Sequence, residues 1–162
     1  MSQIRSAEES FPKSQEGPLV LLAGSRAETR RMMRLVLESW GLDAAETGSC
    51  WEAPEAAAKC RPVLVLIDAT EPFSESLAAA AALKGQLSTV DIPILMISGF
   101  TRPSFRQAAV AVGVSDYLTK PCDLQKLHKS VFGLTNLRPT GHRLPRESNR
   151  NHRPRIRSNS VI

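Results

Sequence analysis

The stretch Arg61–Thr70, RPVLVLIDAT, decides the fold. Val63 to Ile67 form an aliphatic run with no polar break, and the run ends on a single acid, Asp68. A strand with one wet face alternates apolar and polar residues, so an unbroken run is covered on both faces, as in a parallel sheet sandwiched between helices. Asp68 then stands at the carboxyl end of a buried strand, the edge at which such sheets bind ligands.

The same grammar repeats on either side. Upstream, PLVLLA (18–23) is another short apolar run. It leads through Gly24 and Ser25 into AETRRMMRLVLESWG (27–41), where Met32, Leu35, Val36 and Trp40 fall at helical spacing and Gly41 marks a stop. LDAAET (42–47) is a weaker strand. GSCWEAPEAAAKC (48–60) is a helix in which Ser49 and Glu52 have capping-box spacing and Pro54 is expected to distort the early turns. Downstream, an alanine-rich helix is expected over about Glu75–Leu87, then a strand in DIPILMIS (91–98). Pro103 and Gly113 bracket a helix in TRPSFRQAAVAVG. VSDYLTKP (114–121) is a fifth strand, and Asp123 is placed to cap a last helix, LQKLHKSVFG. Five strand–helix units in alternation predict an α/β, three-layer αβα fold with a doubly wound, five-stranded parallel sheet and helices on both faces.

The chain of 162 residues, 42% of them hydrophobic, is long enough for one domain with a sizeable core plus tails. We place a flexible leader at 1–17, the domain at 18–133 and a tail at 134–162. The formal charge of +5 is concentrated in that tail. Arg138, Arg143, Arg146, Arg150, Arg153, Arg155 and Arg157 against Glu147 give it +6, which leaves −1 for residues 1–133. With several prolines, few apolar residues and like charges, the tail is expected to be disordered alone. No apolar run reaches bilayer length and the leader has no signal-peptide core, so a cytoplasmic protein without membrane insertion is expected. Cys50, Cys60 and Cys122 lack CxxC or Cys/His ligand spacing and read as reduced cysteines in or near the core.

Function is sought at the carboxyl ends of the strands. They present Gly24 and Ser25, Asp68, Ser98 with Gly99, and Lys120 followed by Pro121. An acid, a hydroxyl and an amine at one edge suit phosphoryl chemistry: the carboxylate can form an acyl phosphate, the hydroxyl can hydrogen-bond a phosphoryl oxygen, and the ammonium can offset its charge. Singly, each has a bland reading as a helix cap, a loop hydrogen-bonder or a solvated lysine; their places at matching strand ends favour function.

These residues resemble the receiver domain of the response-regulator family of two-component signalling, a CheY-like, flavodoxin-like fold, over about residues 18–133. The resemblance assigns Asp68 in VLVLIDATEP as phosphoacceptor, with Pro72 four residues on and a supporting backbone carbonyl near Thr70. Ser98 in PILMISG matches the switch hydroxyl. Lys120-Pro121 in DYLTKP matches the family's Lys-Pro, whose peptide bond is usually cis, and Tyr117 matches the aromatic that changes rotamer on activation. The implied partners are a histidine kinase, a phosphotransfer protein or a downstream signalling protein.

The resemblance breaks at the first strand. The family ends it in a pair of acids that holds Mg²⁺, and counting back from Arg30-Arg31 puts that pair at Gly24 and Ser25. The family's Gly in the loop after the acceptor is Ser76 here. Mg²⁺ requires carboxylate and other oxygen ligands, so no cofactor is expected unless Glu28 or Glu71 rebuilds the site. The expectation is an atypical, non-enzymatic receiver acting through protein contacts, with weak or no phosphorylation at Asp68, through the surface of its fourth helix, fifth strand and fifth helix. The alternative is that the geometry at Asp68, Ser98 and Lys120 is a structural remnant, with the Lys120–Asp68 pair as an internal ion pair.

Two alternatives are weaker. A haloacid-dehalogenase-like phosphohydrolase needs a second acid two residues after the nucleophile, where Thr70 stands. Binding of nucleic acid or an anionic surface through the arginine tail is expected to be nonspecific, because the tail has no aromatic residue for base stacking. A dinucleotide site is disfavoured by AGSRAE, which lacks G-x-G-x-x-G.

Overall fold

The computed structural model describes residues 17–139. The leader up to Glu16 and the tail from Thr140, with all of its arginines except Arg138, lie outside the described residues. In chain order the elements are β1 (Leu19–Ala23), α1 (Ala27–Ser39), β2 (Asp43–Thr47), a 3₁₀ turn (Cys50–Glu52), α2 (Ala53–Cys60), β3 (Leu64–Ala69), α3 (Phe73–Lys84), β4 (Ile94–Ser98), α4 (Pro103–Ala111), β5 (Asp116–Thr119) and α5 (Leu124–Thr135). All strands pair in parallel in the order β2-β1-β3-β4-β5. No helix among the described residues is long and apolar enough to cross a membrane.

Strand alternation divides the core into two layers. Leu21, Val65, Ile67, Ile94 and Met96 face α2, α3 and α4, where Ala57, Ala80 and Ala109 let the helices approach closely. Val20, Leu22, Leu64, Leu66, Leu95 and Ile97 face α1 and α5, against Leu37, Trp40, Leu127, Val131 and Phe132. β3 is buried at every position, as its unbroken apolar run requires.

Several boundaries differ from the sequence reading. On α1, Met32 and Leu35 are exposed and the inward face is carried by Leu37 and Trp40, with Met33 and Val36 partly buried. Ser49 and Glu52 do not form a capping box: Ser49 Oγ donates to the Glu52 carboxylate at 2.9 Å and caps no backbone N–H. The segment splits into a 3₁₀ turn and α2, which places Pro54 in the first turn of α2, where its missing N–H has no partner to lose. The third helix begins at Phe73 rather than Glu75 and ends at Lys84, so Leu87 is 97% exposed. Ser76 therefore lies in α3, buried near Cys50, and not in a loop. The last helix continues past Gly133 to Thr135, and Leu134 and Leu137 pack on the α1/α5 core layer. Asp123 caps it as expected, accepting from Gln125 N–H at 2.8 Å.

Candidate functional site

β3 delivers Asp68 to the carboxyl edge, and the loop after β5 delivers Lys120. Their side chains meet: Lys120 Nζ donates to Asp68 Oδ1. Asp68 is 5% exposed, and its other oxygen, Oδ2, is buried with no hydrogen-bond partner. The buried acid thus has a single side-chain partner, an amine itself partly open to solvent. The Lys120–Pro121 bond is cis, and so is Glu71–Pro72 in the loop that carries Thr70 past Asp68.

Ser98 stands apart from this pair. By register it lies level with Ala69, one residue beyond Asp68. It shares the α2–α4 face with Ile94 and Met96, whereas Asp68 follows Leu64 and Leu66 on the α1/α5 face. Ser98 Oγ accepts the N–H of Phe100 at 3.0 Å, and the Ser98 carbonyl accepts from Lys120 N–H at 2.8 Å. Thus Ser98 ties the two loops together and makes no direct hydrogen bond to the acid.

Tyr117 points inward at 2% exposure. Its hydroxyl donates to the Phe100 carbonyl at 2.6 Å. Phe73 packs against Phe100 and Phe105 at 5.1 and 4.9 Å between ring centres, and against Tyr117 at 6.5 Å. Arg106 closes the other side: it donates to the Tyr117 carbonyl at 2.8 Å and lies 5.4 Å over its ring. Sequence reading missed this aromatic cluster. The available signal was the repeated placement of phenylalanine just past strand ends, Phe73 after β3 and Phe100 after β4.

At the end of β1, Gly24 packs against Asp68 so closely that a Cβ there would lie 2.9 Å from the Asp68 Cβ. Ser25 follows, exposed. The guanidinium of Arg30 donates to the Gly24 carbonyl and to Glu46, and Arg34 joins Glu46 at 2.7 Å. Glu28 and Glu71 are both exposed. Among the described residues, no three His, Cys, Asp or Glu side chains gather in a group able to hold a metal ion. Cys50, Cys60 and Cys122 are each partly buried. Burial pushes the Cys50 and Cys122 thiols above their ordinary range.

A charged pair at the carboxyl edge of a sheet ordered β2-β1-β3-β4-β5 defines a flavodoxin-like α/β domain with its site on the central strand. The family model of the response regulator receiver domain matches residues 20–132, and the chain belongs to that family. It is 30% identical over 111 residues to the phosphate regulon transcriptional regulatory protein PhoB of Pseudomonas aeruginosa, covering 68% of this chain and 48% of that protein. It is 30% identical over 128 residues to the cyclic di-GMP phosphodiesterase response regulator RpfG of Xanthomonas campestris, covering 78% of this chain and 34% of that protein. The chain therefore spans half or less of the length of these relatives. Among solved structures, the chemotaxis protein CheY4 of Vibrio cholerae is 25% identical with a TM-score of 0.67, over 73% of this chain and 98% of that one. A response regulator from Chloroflexus aurantiacus shares the fold with a TM-score of 0.69 at 24% identity, over 75% and 100% of the two chains.

Proposed function

We propose that this receiver domain signals by protein contact, with weak or no phosphorylation at Asp68. Its partners are a histidine kinase, a phosphotransfer protein or a downstream signalling protein. The observation that carries this reading is the end of β1, where Gly24 and Ser25 stand and no carboxylate does.

Mg²⁺ takes near-octahedral oxygen ligands, and carboxylates supply its charge balance. Asp68 is the acid that ends β3 at this edge; Lys120 holds its Oδ1, and its Oδ2 has no hydrogen-bond partner. Arg30 occupies the Gly24 carbonyl. One carboxylate oxygen among cations is a poor match for a hard divalent ion, so the donor set does not fit Mg²⁺. A phosphodianion brought to Asp68 then meets the carboxylate with Lys120 as its main counter-charge.

The inward Tyr117, held by Phe100, Phe73 and Arg106, supports a domain fixed in one arrangement. The surface of α4, β5 and α5 that it underlies is the proposed contact face, with Val110 on α4 58% exposed. Titration with Mg²⁺ followed by amide NMR tests the reading. Shifts at Asp68 and its neighbours that saturate in the low millimolar range would overturn it, and a spectrum unchanged there is the expected result.

A further inference from the structure

α1 and α5 meet at their far ends, where Trp40 packs edge-on against His128 at 4.8 Å and close to Phe132 at 6.2 Å. Nearer the carboxyl edge of the sheet, a cleft of about 550 Å³ lies between them. Met33 and Val36 form one wall, Leu124 and Leu127 the other, and Leu66 and Ile97 the floor. The volume is in the range of small-molecule sites, roughly 300–1,000 Å³, and the walls are apolar as such sites require.

The charged lining, Asp68, Lys120, Arg26 and Arg30, comes from the ends of β3 and β5 and the start of α1, at the carboxyl edge of the sheet. Their charges do not cancel. Lys120 is paired with Asp68, and Arg30 with Glu46. The Arg26 side chain is exposed and makes no hydrogen bond or ion pair among the described residues. The cleft therefore carries one uncompensated positive charge at the mouth of an apolar chamber. That combination rejects a cationic ligand and selects a molecule with an apolar body and a single anionic head.

We propose that this cleft is a binding site for a small amphipathic monoanion, an aliphatic or aromatic body bearing a carboxylate. The body lies between Met33 and Leu124, and the head meets Arg26 beside the Asp68–Lys120 pair. Occupancy of the cleft places a ligand against the acceptor itself, so a receiver with no metal at this edge still has a small-molecule input there. The site goes beyond the proposed function and stands whether or not Asp68 accepts phosphate.

The test is titration of the full chain with decanoate, decanol and decylamine, read by calorimetry and amide NMR. Decanoate is expected to bind saturably with shifts at Met33 and Leu124, about three- to fivefold tighter than decanol, with decylamine weakest. Arg26→Gln is expected to bring decanoate to the affinity of decanol. Leu124→Trp, on the exposed rim of α5, is expected to fill the cleft and abolish binding while leaving the circular dichroism and melting curve intact. Equal binding of all three probes, binding that survives Leu124→Trp in the folded variant, or no saturable binding would overturn the proposal.

Discussion

At the scale of single residues, the account turns on what stands beside Asp68. Ser25 occupies one of the two positions where the family resemblance calls for an acid, and it is exposed enough to change without repacking. Ser25→Asp is predicted to give phosphorylation of Asp68 by a small phosphodonor that depends on Mg²⁺, measured as a mass gain absent from Ser25→Ala. Gly24→Asp is a harsher change, because its Cβ meets that of Asp68 at 2.9 Å. The Asp68–Lys120 pair makes a separate prediction. Lys120→Met leaves a 5% exposed carboxylate with no partner on either oxygen. That costs about 1–3 kcal/mol in urea unfolding, between the values for an exposed pair and for a fully buried one because Lys120 is partly solvated. The double variant Asp68→Asn/Lys120→Met is predicted to recover part of the loss. Asp68, Lys120, Gly24 and Ser25 were all legible in the sequence, since strand ends are readable from hydrophobic runs. The face on which Ser98 lies is legible as well, in its even spacing from Ile94 and Met96.

At the scale of elements, the aromatic cluster joins β3, β4, β5 and α4 through Phe73, Phe100, Phe105 and Tyr117. Tyr117→Phe keeps the ring and removes the bond to the Phe100 carbonyl, so it isolates the hydroxyl. A loss of about 1 kcal/mol by chemical denaturation is predicted, with new exchange broadening in the loop after β4. An unchanged midpoint would mean the hydroxyl is not what holds the tyrosine inward. Five strands and five α-helices were legible from apolar runs, helical spacing and proline and glycine punctuation, while their ends and the 3₁₀ turn were not. Pro54 illustrates why: proline reads as a disruption inside a helix, yet the chain forms a 3₁₀ turn first and uses it in the opening turn of α2. The exposed Met32 and Leu35 mislead in the same way, because several apolar stripes fit a helix rich in hydrophobic residues and only packing against the sheet selects one.

At the scale of the whole molecule, the alternation of strands and helices fixed the sheet, and the resemblance in DYLTKP and VLVLIDATEP fixed the family. Side-chain pairing across elements, such as Arg30 with Gly24 and Glu46, has no local signature and emerged only in the folded chain. Whole-chain stability carries a pH dependence from the thiols. Burial, the leading cause, raises Cys50 and Cys122 in the folded state. The native state then keeps these protons longer than the unfolded chain, so their contribution is complete below the ordinary thiol range and declines as pH rises through it. Unfolding at pH 7 and at about pH 9.5 is predicted to show a smaller loss in Cys50→Ala/Cys122→Ala than in the parent.

The central proposal is weak or no phosphorylation of this receiver at Asp68. Its most direct test is the intact mass of the protein after incubation with acetyl phosphate or phosphoramidate, with and without Mg²⁺, for the parent chain and Asp68→Asn. The account predicts no phosphate-sized gain under conditions that modify an ordinary receiver run alongside. A gain that requires both Asp68 and Mg²⁺ would contradict it and show that other ligands rebuild the metal site.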